Sequence, residues 1–163
     1  MTLILSVMAL LVIAGVVLFM VLGVMSRSGS APGLVHGRLA PCPASPNCVC
    51  SEYKEDAAHY IDPVMLANHE TSMPLIKSVI ETAGGKVIGA TDNYLAATFS
   101  SAVFGFVDDV EVRLDAQRHV LQLRSASRVG HGDLGVNRKR AAFLKQHIAE
   151  KLDAAIAPDA NAP

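Results

Sequence analysis

The residues best placed to do chemistry fall within Phe104–Arg140, FGFVDDVEVRLDAQRHVLQLRSASRVGHGDLGVNRKR. Two adjacent carboxylates, Asp108 and Asp109, precede an arginine-rich run: Arg124, Arg128, Arg138 and Arg140, with Lys139 between the last two. A glycine-punctuated loop, Gly130-His131-Gly132-Asp133-Leu134-Gly135, lies inside that run. Paired acids together with His131 and Asp133 are material for a hydrolase or transferase, which needs a proton donor and acceptor within hydrogen-bond reach. Arginines at a loop–helix junction are material for anion binding, because the free N–H groups of a helix start favour negative charge. A third reading makes the same charges an internal lock, with Asp108, Asp109 or Asp133 accepting from the arginines.

Signatures separate these readings in part. The chain has no G-x-S-x-G, H-E-x-x-H or paired C-x-x-C, and the glycine loop is neither a P-loop nor a dinucleotide fingerprint. His131 reads as a solvated loop residue. The leading expectation is a binding module without catalysis, holding an anionic small molecule, a lipid headgroup or an envelope protein at the 124–140 edge. Its candidate ligand-binding residues are Arg124, Ser125, Ser127, Arg128, Gly130, Asp133, Gly135, Asn137, Arg138 and Arg140, with Asp108 and Asp109 as acidic partners. No cofactor and no metal are expected. A net charge of -1 argues against a nucleic-acid partner, which selects for a basic excess.

Strands and helices must position these groups. Phe106, Val110, Val112 and Leu114 alternate with Val107, Asp109, Glu111 and Arg113, which describes a half-buried strand. Asp108 breaks the pattern by standing on the apolar face. An unpaired buried carboxylate costs several kcal/mol, so Asp108 requires a donor. After Asp115–Arg118 a second strand places Leu121, Leu123, Ser125 and Ser127 on the apolar side, and Val120, Gln122, Arg124, Ala126 and Arg128 on the other. A turn that brings residue 114 opposite 119 sets Asp109 across from Arg124, Glu111 across from Gln122, and Asp108 across from Ser125. Upstream, Ser72 is placed to cap a helix over 73–83, with Gly84-Gly85 after it; Lys86–Thr91 and Tyr94–Ser101 read as two further strands.

Downstream, a helix is expected from about Asn137 to Ile156, its buried stripe made of Ala141, Leu144, Ile148, Leu152 and Ala155. Arg138 and Arg140 flank that stripe by about 80° on either side. Three basic residues in a first turn oppose the helix dipole, so something negative should compensate. Charge balance assigns Arg140 to an internal acid and leaves Arg138 or Arg128 as the freer donor.

The N-terminal third is of another kind. From Leu3 to Met25 no residue is charged, and the run measures roughly 34 Å as a helix. It reads as a retained single-pass membrane anchor, 1–25, rather than a cleaved leader, because a basic n-region and a small-x-small cleavage site are lacking. Residues 26–38, which include SRSGSAPG, read as a flexible linker, 39–157 as the globular domain and 158–163 as a disordered tail. Between Pro41 and Cys50 stand three prolines and three cysteines. The bend set by the prolines brings Cys42 and Cys48 together, which suits a disulfide in an oxidising compartment; three reduced cysteines in an ordered strap are the alternative. Zinc held by Cys42, Cys48, Cys50 and His59 fits none of the common spacings. A disulfide places the domain outside the cytoplasm, whereas Arg27 and Arg38 after the span weigh toward the cytoplasmic side.

PCPASPNCV, FGFVDDVEV and RSASRVGHGDLGVNRKR, in this order, resemble the family called domain of unknown function 1499. The resemblance runs from about Leu39 to Leu152 and implies a small membrane-associated or exported domain with no established activity. Cys42, Cys48, Asp108, Asp109, Arg124, Ser125, Ser127, Arg128, Gly130, Asp133, Gly135, Asn137, Arg138 and Arg140 match its motifs. Cys50 stands where serine is usual, Ser100 and Ala102 where arginines are frequent, and His131-Gly132 where a bulky residue and serine are typical. The fold expected is α+β: an antiparallel meander of about four strands packed against two helices and preceded by one transmembrane helix.

Overall fold

The computed structural model of the chain describes residues 1–66 and 73–156, without the side chains of residues 155 and 156. Ser72 as a cap, Ala155 in the stripe and the 158–163 tail therefore lie outside what is described. The first element is α1, Thr2–Arg27. By length and composition it is apolar enough to cross a membrane, a test that a signal sequence also passes.

The expected four-strand meander is present within a larger sheet. It comprises β5 (Lys86–Ala90), β6 (Tyr94–Ser100), β7 (Val107–Asp115) and β8 (Val120–Ser127). Two short strands, β3 (Cys48–Cys50) and β4 (Val64–Met65), add to the free edge of β8 and make a six-stranded antiparallel sheet of order β3-β8-β7-β6-β5. A separate two-stranded hairpin pairs β1 (Leu34–Val35) with β2 (Arg38–Leu39). Both β3 and β4 escape a reading by alternation, since strands of two or three residues carry no period.

Two helices cover one face. In α2, Met73–Thr82, and α3, Val136–Ile156, the stripes Ile76/Val79/Ile80 and Ala141/Leu144/Ile148/Leu152 are buried. They pack on Leu95, Ala97, Val110, Val112, Leu121 and Leu123, the face that alternation assigns to the core. Each of those leucines is worth about 1.5–3 kcal/mol of burial.

The register of β7 on β8 corrects the expected one. Leu114 faces Leu121, Glu111 faces Arg124, Asp109 faces Ala126 and Asp108 faces Ser127. The cause lies in the turn. Asp115 accepts the Arg118 N–H through Oδ1 at 3.2 Å, and His119 adopts φ +53°, so the strands continue one residue further before the loop 116–119. Moving both strands by one residue keeps the apolar faces together, which is why the pattern alone does not expose the difference.

The second face is polar and yet buried. The stretch expected as a loose linker lies on it: Gly33 donates its N–H to Glu111 Oε1 at 2.9 Å, and Leu39 is fully buried. Glu111, with no exposed surface, also accepts from Tyr94 O–H at 2.7 Å and from Arg124 Nη1 at 3.0 Å. Burial and the Glu111 carboxylate push the Tyr94 phenol up, so it remains a donor. Glu52 accepts from Arg113 Nε at 2.6 Å, Arg38 Nε at 3.0 Å and Leu39 N–H at 3.3 Å. Burial raises the Glu52 carboxyl, but the Arg113 and Arg38 hydrogen bonds outweigh it and hold the group below its usual range. Asp115 is held low in the same way, with Arg113 and the Arg118 N–H offsetting burial.

The cysteine strap is tied to this layer. Cys42 and Cys48 form a disulfide, six residues apart in sequence, and Cys50 is free and buried. Burial pushes the Cys50 thiol up to about 11. His59 bonds Asp56 Oδ2 and Ser45 O, and no group of metal-holding side chains occurs among the described residues.

Two outcomes follow. Alkylation of unreduced native protein should modify none of the three cysteines, whereas denaturation without reductant should expose Cys50 alone, read by peptide mass. Stability should also depend on acid. Glu52 and Asp115 titrate lower in the folded chain than in the unfolded one. Their contribution is therefore complete above the unfolded carboxyl pKa of about 4 and is lost as pH falls through the folded values. Urea midpoints measured from pH 7 down to pH 3 should fall below about pH 4, and Glu52→Gln should flatten that fall while lowering the pH 7 midpoint.

Candidate functional site

The two carboxylates that open the charged run point to opposite faces of the sheet. On the core side, Asp108 Oδ2 pairs with Arg140 Nη2 at 2.9 Å, and the Arg140 guanidinium lies 4.8 Å from the centroid of Phe99. On the other side, Asp109 accepts twice from Arg128, from Nε at 2.9 Å and from Nη2 at 2.7 Å. Arg128 is therefore not the freer donor that charge balance suggested. Its remaining Nη1 donates to the carbonyls of Ser26 and Arg27, at 3.2 and 3.4 Å. Arg124, expected opposite Asp109, is engaged by Glu111 instead.

The start of α3 is neutralised locally. Asp133 Oδ1 accepts the Gly135 N–H at 3.0 Å and Oδ2 accepts the Asn137 N–H at 2.7 Å, so the compensating negative charge sits in the glycine loop itself. Gly130 and Gly135 take φ +87° and +77°, a region that glycine enters without strain. Asn137, the residue expected to cap, lies inside the helix and serves as a hub. It donates through Nδ2 to Asn47 O and Ser127 Oγ, both at 2.9 Å. Its Oδ1 accepts from Ser125 O–H at 2.6 Å and from Arg140 Nη1 at 2.8 Å. Arg138 is left facing outward, donating to the backbone carbonyls of Tyr60 and Ala58 at 3.0 and 2.9 Å.

Thus Ser125, Ser127, Asn137, Arg140 and Asp108 converge on one face, while Arg124, Arg128 and Asp109 converge on the other. The 124–140 edge is two networks rather than one site. Each arginine of the core-side and linker-side networks has an acceptor within the protein. His131 is exposed in the loop, and Asp133 has both oxygens committed to the helix start, so the pair is not assembled for proton transfer. Three members of these networks were missed: Glu111, Asn47 and Ser26. Glu111 was visible as a carboxylate on an alternating strand, but the wrong register hid its partner. Asn47 and Ser26 stand in segments whose composition suggests loop and linker, where no period marks a buried polar side chain.

Beside these networks lies a cleft of about 260 Å³ between α1 and the domain. Phe19 and Leu22 of α1 form one wall, Phe106 and Val136 another, and the carboxylates Asp108 and Asp133 reach its lining. An open hollow of about 430 Å³ at the far end of the sheet is lined by Arg38, Arg113 and Arg118, two of which are spent on Glu52.

Residues 38–148 match a family model described as a protein of unknown function, DUF1499. The chain belongs to that family. No curated protein matches it. The DUF1499 match begins at β2 and ends within α3, so it takes in the cysteine strap and most of both networks and leaves α1, with Ser26, outside.

Within the DUF1499 domain the two kinds of edge residue should separate by experiment. Asn137→Ala leaves several buried partners unsatisfied and should cost at least about 2 kcal/mol. Arg138→Ala removes only exposed bonds to carbonyls and should cost less than about 1 kcal/mol. Urea unfolding of the two variants checks the split, and equal losses would count against the hub.

Proposed function

We propose that this protein is a membrane-anchored binding domain without catalysis, clamped against the bilayer surface rather than swinging from a tether. One observation carries the reading: the last turns of α1 are part of the fold. Ser26, fully buried, accepts the Val107 N–H through Oγ at 3.0 Å, at the very start of β7. Phe19 packs on Phe104 and Phe106, with ring centroids 5.3 and 6.2 Å away. A Cβ at Gly23 would strike the Phe104 carbonyl, so this approach requires glycine.

The depth follows from helix geometry. Phe19 lies eight residues before Arg27, about 12 Å along the axis. The headgroup zone is about 5–7 Å thick on each side, so with Arg27 at headgroup level Phe19 is within the hydrocarbon. The flank of α1 turned away from the domain supports that level. Leu18, Val21, Val24 and Met25 are all about half exposed or more, and only lipid gives them an apolar neighbour. The domain loops that touch Phe19 are then at the membrane boundary. The loop of Phe104 carries Val103, and the 130–135 loop across the cleft carries Leu134, which is 96 % exposed.

The charged networks support the reading by what they leave over. With Asp108, Asp109, Glu111 and Asp133 all engaged internally, they lock the covers to the sheet, and an anion finds no unengaged guanidinium there. The enzyme alternative has no assembled acid–base pair. The disulfide favours an oxidising, extracytoplasmic side over the positive charges that follow α1. The bilayer is the partner this surface suits.

The chain contains no tryptophan, so Leu134→Trp is a sole reporter. In vesicles of phosphatidylcholine the full chain carrying Leu134→Trp should emit to the blue and be quenched by lipids brominated along their chains. Gln117→Trp, in the exposed turn at the opposite end of β7, should emit as in water. Water-like emission from position 134 would overturn the clamped arrangement.

A further inference from the structure

We infer that the cleft between α1 and the domain holds an acyl chain of a membrane lipid, drawn in sideways from the surrounding leaflet. The inference rests on the clamped arrangement above and assigns the ligand class to the cleft. Its first support is continuity. Phe19 and Leu22, which wall the cleft, belong to the same uncharged run whose outer flank is apolar through Met25. The cleft therefore opens at the level where lipid chains end, and a chain enters it without crossing water.

The second support is the balance of the lining. Phe19, Leu22, Phe106, Val129 and Val136 present hydrocarbon, and no lysine or arginine reaches the cleft. Its ionisable lining groups are Asp108 and Asp133 alone. Asp108 is balanced by Arg140 from behind, and Asp133 by the two N–H groups of the α3 start. A phosphate or a free carboxylate inside the cleft would face these carboxylates with no cation to offset them. A chain entering with its headgroup left at the surface meets no such cost. Each methylene transferred from water contributes about 0.8 kcal/mol, but a chain arriving from the bilayer gains nothing from that. Retention instead depends on packing between the aromatic rings and on filling a space that the helix and domain leave open.

The third support is that the walls are held apart. Gly23 against Phe104 and Ser26 against Val107 fix α1 on the domain below the cleft, and the Asp133 bonds set the 130–135 loop on its other side. With both sides pinned, the cleft does not close by a simple collapse of α1 onto α3.

The test uses the full chain in phosphatidylcholine vesicles containing a phosphatidylcholine with a diazirine in its acyl chain. After illumination, adducts are mapped by peptide mass. Mapped to single residues, adducts are expected on α1, on Val103 and Leu134 at the membrane boundary, and also on Phe106 and Val129, which line the cleft. In Gly132→Phe, at a lining position where a Cβ meets nothing within 4 Å, adducts on Phe106 and Val129 should be lost while those on α1, Val103 and Leu134 remain. Val136→Phe, at another lining position, should do the same if the first variant fails to fold. Excess free palmitate should not compete. No labelling of Phe106 and Val129 in the unaltered chain, or adducts there that survive both filling variants, overturns the acyl-chain site and leaves the anchor standing. Absence of labelling on α1 as well overturns the anchor and the site together.

Discussion

Two neighbouring carboxylates on one strand must be neutralised on opposite faces of the same sheet, and most of the architecture can be traced to that constraint. Side chains along a strand alternate, so Asp108 and Asp109 cannot share an arginine. An unpaired carboxylate in either layer would cost several kcal/mol. The solution draws one arginine from α3 and one from the end of β8. Arg140 thereby fixes where α3 starts relative to β7. Arg128 reaches over the other face, and its third nitrogen secures the carbonyls that end α1. Each pair is weak evidence for stability taken alone, because desolvation offsets much of the attraction. Their effect is geometric: remove one partner and a charge is stranded against a cover that no longer has a reason to sit there.

The same logic extends along β7. Every second residue on its linker-side face is Asp109, Glu111 or Arg113, and every one is met by an opposite charge: Arg128, Arg124 or Glu52. A sheet face built this way is ordinarily left to solvent. Here the segment 28–40 covers it, Gly33 adding an N–H to Glu111 and Leu39 adding the apolar contact. The result is a domain with one hydrocarbon layer, between sheet and helices, and one layer of paired charges beneath a short hairpin.

How much of this was legible depends on which physical signal each part carries. The helices and the four long strands were readable because burial on one face imposes a period, and their apolar faces stand where alternation puts them. The α+β class and the family motifs were readable for related reasons. The β7–β8 register was not, because a shift of one residue in both strands conserves the faces, and the deciding feature was an Asp115 turn with His119 at positive φ. The cover over 28–40 was hidden because glycine, serine and proline suit a mobile tether and a backbone that donates to a buried carboxylate equally well. The candidate residues were correctly grouped in sequence and yet split in space, since consecutive strand residues go to opposite faces. Composition shows which charges exist; only the paired partner decides whether a charge is spent.

The disulfide gives the last link between these layers. It closes the segment that presents Asn47, and Asn47 is engaged on three sides. Its carbonyl accepts the Ser127 N–H at 3.0 Å and Asn137 Nδ2 at 2.9 Å, and its own Nδ2 donates to Gly130 O at 2.8 Å. The strap therefore continues the sheet at β8, anchors the hub inside α3, and sets the first glycine of the loop that borders the cleft. A segment of this length, rich in proline but lacking an apolar stripe, has little burial of its own with which to resist unfolding. Closing it covalently lowers the entropy of the alternatives and lets a short polar strap carry contacts that would otherwise need a longer element. The order of the glycine loop is in this sense set from the opposite end of the strap, through one asparagine and the three hydrogen-bonded neighbours it joins.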